Sequence, residues 1–246
     1  MRSAAVLAYS GTRRSSPAYF LVRNEKYCVI ENMKAVAKAT AFCLGMTRAY
    51  RKDFGMRIHY GGTYSGDPAD LPQREHMPGA VRFREPEDPA ALGREAAKFA
   101  LGALLPALLL FLLAGGLYDS AKAVHFLLGA ILAAAAAVPH ELLHALCFRE
   151  EVYMYTNLRQ GMLFVIGTES MTKARFIVMS LLPNLVLGIA PLVIGLLWPP
   201  LIVLAYMGLV GIPMGAGDYL NVWNACRQVP RNGRVYLSGF HSYWYV

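Results

Sequence analysis

Long apolar stretches alternate with short polar segments over the second half of the chain. Four of them, residues 99–118, 123–148, 176–198 and 201–226, contain only two charged residues, Glu141 and Asp218. The hydrocarbon core of a bilayer is ~30 Å thick and requires about 20 helical residues. The pattern therefore predicts an all-α membrane protein with four transmembrane helices.

A different pattern separates the second and third apolar stretches. Residues 151–166 contain two β-prone runs on either side of Asn157-Leu-Arg-Gln-Gly161, which is typical of a hairpin. We expect a small β-hairpin directly after the second helix. An exposed edge of that hairpin could pair with an extended peptide; a plain cytoplasmic connection is the alternative.

The first 95 residues are polar and basic, and they predict a cytoplasmic extension that is partly helical or disordered. Residues 30–52 fit an amphipathic basic helix, which could lie on an anionic membrane surface or in solvent. Residues 53–90 are rich in Gly, Pro, Asp and Arg and predict a linker. Another interpretation is that the natural protein starts at Met77. The remaining residues, 96–246, form the predicted four-span membrane domain.

Composition and charge placement agree with a membrane protein. The chain is 56% hydrophobic and 16% charged, whereas soluble proteins are about 25% charged. All Lys and Arg residues except Lys122 fall on one side of a four-span topology. The positive-inside rule makes that side cytoplasmic, with both termini on it. The net charge of +8 therefore requires no nucleic acid partner. The aromatic tail, residues 235–246, is expected to pack at the membrane interface.

The second apolar stretch contains a motif with metal chemistry. His140, Glu141 and His144 form the pattern His-Glu-x-x-His. Residues four apart lie on one helix face, so both imidazoles can bind one Zn²⁺, and Glu141 can activate a water molecule as general base. Ionisable groups are costly inside a membrane, which favours a functional site. The alternative is a polar contact between helices near the interface.

A zinc hydrolase site usually has three protein ligands, so a third ligand is expected elsewhere. Asp218 is the one acid in the fourth stretch, at a depth similar to that of the two histidines; the alternative is a lone acid near a helix end. Glu169 is expected to be solvated in a loop. Asn184 could orient substrate or a ligand, or could simply form a hydrogen bond between helices.

These motifs resemble a known family. His140-Glu-Leu-Leu-His144, Leu181-Leu-Pro183 and Gly217-Asp218 are similar to small four-span bacterial zincin peptidases of the membrane, distant relatives of the site-2 proteases. The resemblance covers about residues 77–246. It implies His140, His144 and Asp218 as zinc ligands and Glu141 as the base. The order Gly217-Asp218 departs from the site-2 pattern, in which the aspartate precedes a glycine.

Together these features predict a zinc-dependent intramembrane peptidase of the cell membrane. Its partners would be membrane lipid and a peptide or membrane-protein substrate. Two alternatives stay open: a non-catalytic membrane protein with a structural or sensory metal site, and a transporter or channel component with polar residues in the membrane.

Overall fold

A computed structural model describes residues 58–116, 121–157 and 161–246. The basic helix predicted at 30–52 lies outside these residues. The helices are α1 (Pro89–Leu113), α2 (Lys122–Ala135), α3 (Ala137–Ala145), α4 (Lys173–Asn184), α5 (Ala190–Leu197), α6 (Ile202–Met214) and α7 (Ala216–Gln228). A π-helical turn, Leu185–Ile189, joins α4 to α5. The strands are β1 (Ile58–Thr63), β2 (Val81–Arg82), β3 (Val152–Asn157), β4 (Met162–Ile166), β5 (Met171–Thr172), β6 (Arg234–Ser238) and β7 (His241–Tyr245).

The expectation of an all-α fold is wrong, because the described residues include seven strands in two sheets. Sheet A has the order β1-β3-β4, with β1 parallel to β3 and β3 antiparallel to β4. Sheet B has the order β2-β7-β6-β5. The aromatic tail forms the β6–β7 hairpin, which turns at Gly239 with a φ of +59°. Its Val235 and its aromatic residues favour a strand.

Among the described residues, three helical segments are long and apolar enough to cross a membrane: Ala90–Leu113, Lys122–Ala145 and Lys173–Leu197. The expected fourth helix over 201–226 is not continuous. It is divided into α6 and α7, which are bent by 52° and meet the same criterion only as a pair. Pro213 and Gly215 lie at the break, and both residue types weaken a helix. The four-span description is therefore corrected to three such helices and one bent pair.

The first span also differs from its predicted bounds of 99–118. Helix α1 begins ten residues earlier, because the Asp88 side chain caps it by accepting a hydrogen bond from Ala91 N at 2.8 Å. Side chains along α1 and α2 such as Leu105, Leu113 and Leu127 are 60–77% exposed. Such apolar surface is suited to contact with lipid and indicates association with a membrane.

Within the second span, the helix breaks one turn before the His-Glu-x-x-His motif. Helix α2 ends at Ala135 and α3 begins at Ala137. The carbonyl of Ala135 would normally accept a hydrogen bond from the residue at 139, but Pro139 has no N–H. Strands β3 and β4 then pair where the sequence predicts a hairpin.

A buried cluster fixes the ends of α3, α4 and α7 against sheet B. Its members are apolar side chains from these helices and sheet B, from the start of β3 and from the connections between them. They are Phe83, Ala145, Phe148, Val152, Met171, Phe176, Met179, Ala225, Val229 and Val235. This packing determines where the polar residues of the three helices meet.

Candidate metal centre

Helix α3 carries His140, Glu141 and His144 toward the interior of the protein. Their potential ligand atoms all lie within 4.8 Å of one another, and in the described residues they are the one such group of three. His144 is 8% exposed. The i, i+4 spacing of the histidines places both rings on one helix face, with ring centroids 4.9 Å apart.

Asp218 joins this group from the first turn of α7. Its Oδ2 lies 3.1 Å from His140 Nε2, and its Oδ1 lies 3.2 Å from His144 Nε2. The side chains of His140, His144 and Asp218 are 19%, 10% and 13% exposed, respectively. A single carboxylate therefore contacts both histidines of the motif in a site that is largely shielded from solvent.

These contacts fit a bound cation. His144 Nδ1 lies 2.9 Å from the carbonyl oxygen of Met179, which can only accept, so Nδ1 carries the proton. In the neutral ring Nε2 is then an acceptor, and it faces the carboxylate of Asp218, which is also an acceptor when ionised. A proton or a metal ion between the two atoms makes this contact favourable. Two donor atoms on one tetrahedral zinc lie about 3.3 Å apart, given Zn–N and Zn–O distances near 2.0–2.1 Å.

The side chain of Glu141 is oriented by sheet A. Its Oε2 accepts a hydrogen bond from Val165 N of β4 at 3.1 Å. Since β4 is an edge strand, the N–H of Val165 points away from β3, and that of Leu163 points the same way. The outer edge of β4 therefore runs directly past the carboxylate.

Asn184, at the end of α4, supports Asp218 from the other side. Its Nδ2 donates to Asp218 Oδ2 at 2.8 Å and to Ser180 O at 3.3 Å. The side chain packs against Gly215, where a Cβ would overlap the Asn184 amide. Gly215 thus permits the close approach of α4 and α7, whereas a Cβ at Gly217 would meet no atom within 4 Å.

A cavity of about 180 Å³ adjoins these groups. His140, Glu141 and Asn184 contribute its polar lining. The remainder is formed mainly by small or apolar side chains: Ala133, Ala136, Ala137, Gly161, Leu163, Pro183, Leu187, Gly188, Gly211 and Met214. A mostly apolar cavity with a few converging polar groups is typical of a small binding site.

The expectation for Glu169 is wrong, because this residue is buried rather than solvated. It is 5% exposed, pairs with Arg175 and accepts hydrogen bonds from the backbone N–H groups of Arg149 and Glu150. Arg175 also donates to Cys147 O. This network connects the end of α3 to the start of α4, close to the candidate metal centre.

Sequence reasoning also missed the backbone groups that contact the site. The carbonyl of Met179 and the N–H of Val165 belong to apolar residues, and no side-chain motif identifies them. For Met179 a signal exists, namely a proline four residues later. For Val165 the signal is weaker, because it requires the pairing of the hairpin to be known.

Comparison with known proteins supports the chemistry of this segment. Residues 133–233 match a protein family described as "Putative zincin peptidase". The matched residues include His140, Glu141, His144 and Asp218. Comparisons with curated proteins and with solved structures found no match. The family match supports a zincin-like metallopeptidase and zinc as its metal, whereas the similarity to site-2 proteases stays a prediction.

Proposed function

We propose that this protein is a zinc-dependent intramembrane peptidase. The observation that carries the proposal is the convergence of His140, Glu141, His144 and Asp218 in a shielded site between apolar helices. Two imidazole nitrogens and one carboxylate oxygen are a donor set that zinc hydrolases use, with a further position left for water or substrate. His140, His144 and Asp218 would hold the metal.

Zn²⁺ held there would supply Lewis acidity toward the scissile carbonyl and make a water molecule easier to deprotonate. Glu141 takes the proton from the attacking water and delivers it to the nitrogen of the leaving amine. Its hydrogen bond from Val165 N occupies Oε2, which leaves Oε1 as the oxygen that accepts this proton. Hydrolysis of one peptide bond consumes one water and leaves one acid and one amine.

The substrate is a peptide segment in extended conformation. The outer edge of β4 presents the N–H and C=O of Leu163 beside the cavity and Glu141, in the direction set by antiparallel pairing with β3. An extended peptide can add to such an edge through main-chain hydrogen bonds. Pairing there would bring its backbone alongside the proposed metal site.

The reaction takes place near the cytoplasmic side of the cell membrane. The site lies on α3 and the first turn of α7, against β4 of sheet A. Arg149, Lys173, Arg175, Arg231 and Arg234 lie in or beside the segments that join these helices to the sheets, whereas at the other ends of α1 and α2 the one such residue among those described is Lys122, the first residue of α2. This asymmetry favours a cytoplasmic location for the sheets.

The test is Glu141→Gln in the full-length protein, with Glu150→Gln as a matched control at an exposed position. We expect the Glu141→Gln protein to retain zinc. A strain that carries it should accumulate uncleaved membrane-bound precursors, measured by comparative proteomics against the wild-type strain. The control should resemble wild type. Retained zinc with no accumulated substrate would favour a structural or sensory metal site. A zinc content of wild type no higher than that of a His140→Ala/His144→Ala variant would refute the proposal of a zinc peptidase.

A further inference from the structure

Helix α4 contains a proline, Pro183, in its last turn. In an α-helix each carbonyl accepts a hydrogen bond from the N–H four residues later. Proline has no N–H, so Pro183 cannot donate to the carbonyl of Met179. That carbonyl is therefore available to another donor, on a residue that is 7% exposed.

The donor is the imidazole of His144. Its Nδ1 lies 2.9 Å from Met179 O, and both residues are less than 10% exposed. Since the carbonyl can only accept, this hydrogen bond requires the ring proton to be on Nδ1. In the neutral imidazole Nε2 is then the acceptor atom, and it is directed at Asp218 Oδ1, 3.2 Å away. A histidine that ligates a metal usually donates its second ring N–H to such a partner, which fixes the tautomer and the orientation of the ring.

The residue after this proline acts on the same centre. Asn184 donates through Nδ2 to Asp218 Oδ2 at 2.8 Å. Two consecutive residues of α4 thus orient groups from two other helices: Pro183 acts on His144 of α3 through a freed carbonyl, and Asn184 acts on Asp218 of α7 directly. The π-helical turn begins immediately after them, and such turns often occur at functional sites.

We infer that Pro183 is a positioning residue of the metal centre, which acts by withholding an N–H from the carbonyl that His144 requires. This inference rests on the proposed zinc site but assigns a role that is independent of peptide hydrolysis. In a Pro183→Ala variant the new N–H at position 183 donates to Met179 O within the helix. It then competes with His144 Nδ1–H, and the imidazole loses its preferred tautomer and orientation.

The test compares zinc affinity and thermal stability in purified full-length wild type, Pro183→Ala and Pro106→Ala. Pro106 also lies inside a helix, α1, but at an exposed position, so Pro106→Ala introduces the same chemical change away from the site. We expect the zinc Kd of Pro183→Ala, measured by chelator competition, to rise about 10–100-fold. The Tm of its metal-free form should be equal to or above that of wild type, because proline is the least favourable residue in a helix interior.

The possible outcomes separate the two proposals. If wild type and Pro106→Ala bind zinc and Pro183→Ala binds it equally well, Pro183 does not position His144, while the zinc site stands. If wild type binds no zinc, the proposed function itself fails. A higher zinc Kd of Pro183→Ala together with a lower Tm of its metal-free form indicates a general structural role and would overturn the inference.

A second measurement decides the question even if Pro183→Ala cannot be isolated. In wild type labelled with ¹⁵N-histidine, the resonances of His144 can be assigned by their loss in His144→Gln. We expect a protonated, hydrogen-bonded Nδ1 and an unprotonated Nε2. The opposite tautomer in the metal-free protein would overturn the inference.

Discussion

Gly215→Ala should weaken the contact between α4 and α7 at the candidate metal centre. A Cβ at position 215 would lie 2.5 Å from Asn184 Nδ2 and still closer to Oδ1 and Cγ of the same amide. Ordinary contact begins near 3.5 Å, so the amide must move by at least about 1 Å. Asn184 Nδ2 donates to Asp218 Oδ2 at 2.8 Å, and a displacement of this size breaks that hydrogen bond.

The expected loss of stability follows from three terms. Overpacking of a filled interior costs about 1–3 kcal/mol, and a hydrogen bond to a charged group contributes about 1.5–3 kcal/mol. The lower entropy of the unfolded chain returns about 0.4–1 kcal/mol. Gly215 has a φ of −79°, which alanine adopts without strain. The free energy of unfolding should therefore fall by about 2–5 kcal/mol.

The assay is equilibrium unfolding together with zinc competition, and Gly217→Ala is the matched control. Gly217 is two residues further along, in the first turn of α7, and its Cβ would meet no atom within 4 Å, so the control should be neutral or slightly stabilising. Because Asp218 loses an orienting partner, zinc affinity should fall about 10–100-fold in Gly215→Ala alone. Equal effects of the two substitutions, within about 0.5 kcal/mol, would refute the argument from close approach.

Three further predictions concern Glu85, Glu169 and Leu163. Burial raises the pKa of Glu85 to about 7, so the contribution of this group to stability should be greatest below pH 4.5 and decline up to about pH 7, by ~3 kcal/mol at most. Glu85→Gln should remove this decline in thermal unfolding, and an unchanged profile would contradict the prediction. Glu169→Ala leaves Arg175 half-buried without its carboxylate and should lower the free energy of unfolding by about 3–5 kcal/mol; a loss below 1 kcal/mol would count against the pairing. Leu163→Pro should preserve the circular dichroism spectrum, since proline is tolerated on the outer edge of a sheet. It should nevertheless reduce kcat/KM at least tenfold on a precursor that accumulates in the Glu141→Gln strain, and unchanged kinetics would exclude pairing of the substrate at β4.

Three of the four apolar helices were predictable because the signal for each lies within one segment. About 20 consecutive residues with little charge favour a helix long enough to cross a membrane, although the fourth stretch breaks between α6 and α7. The same locality holds for His140, Glu141 and His144, which lie within two turns of a helix. Asp218 required a longer argument from depth and charge, and the structure brings it within 3.2 Å of both histidines.

Apart from the β3–β4 hairpin, the sheets were not predictable in the same way, because most of their pairing joins distant segments. Strand β1 lies in a stretch rich in Gly and Pro, but it pairs in parallel with β3, which follows the second span. Strand β2 has only two residues and is ordered by the C-terminal strand β7. Propensity within such short segments is weak, so tertiary contacts decide their conformation.

Helix breaks near three prolines surround the polar groups of the candidate metal centre. The break between α2 and α3 comes just before Pro139, Pro183 precedes the π-helical turn, and Pro213 precedes the bend between α6 and α7. Each break lies within five residues of a proposed ligand or of Asn184. The breaks meet at one cavity, which is lined by Ala136, Ala137, Pro183, Asn184 and Met214. Irregular backbone is tolerated at membrane depth only where it is buried in protein or lines a cavity, and residues at all three breaks meet this condition because they line the same cavity.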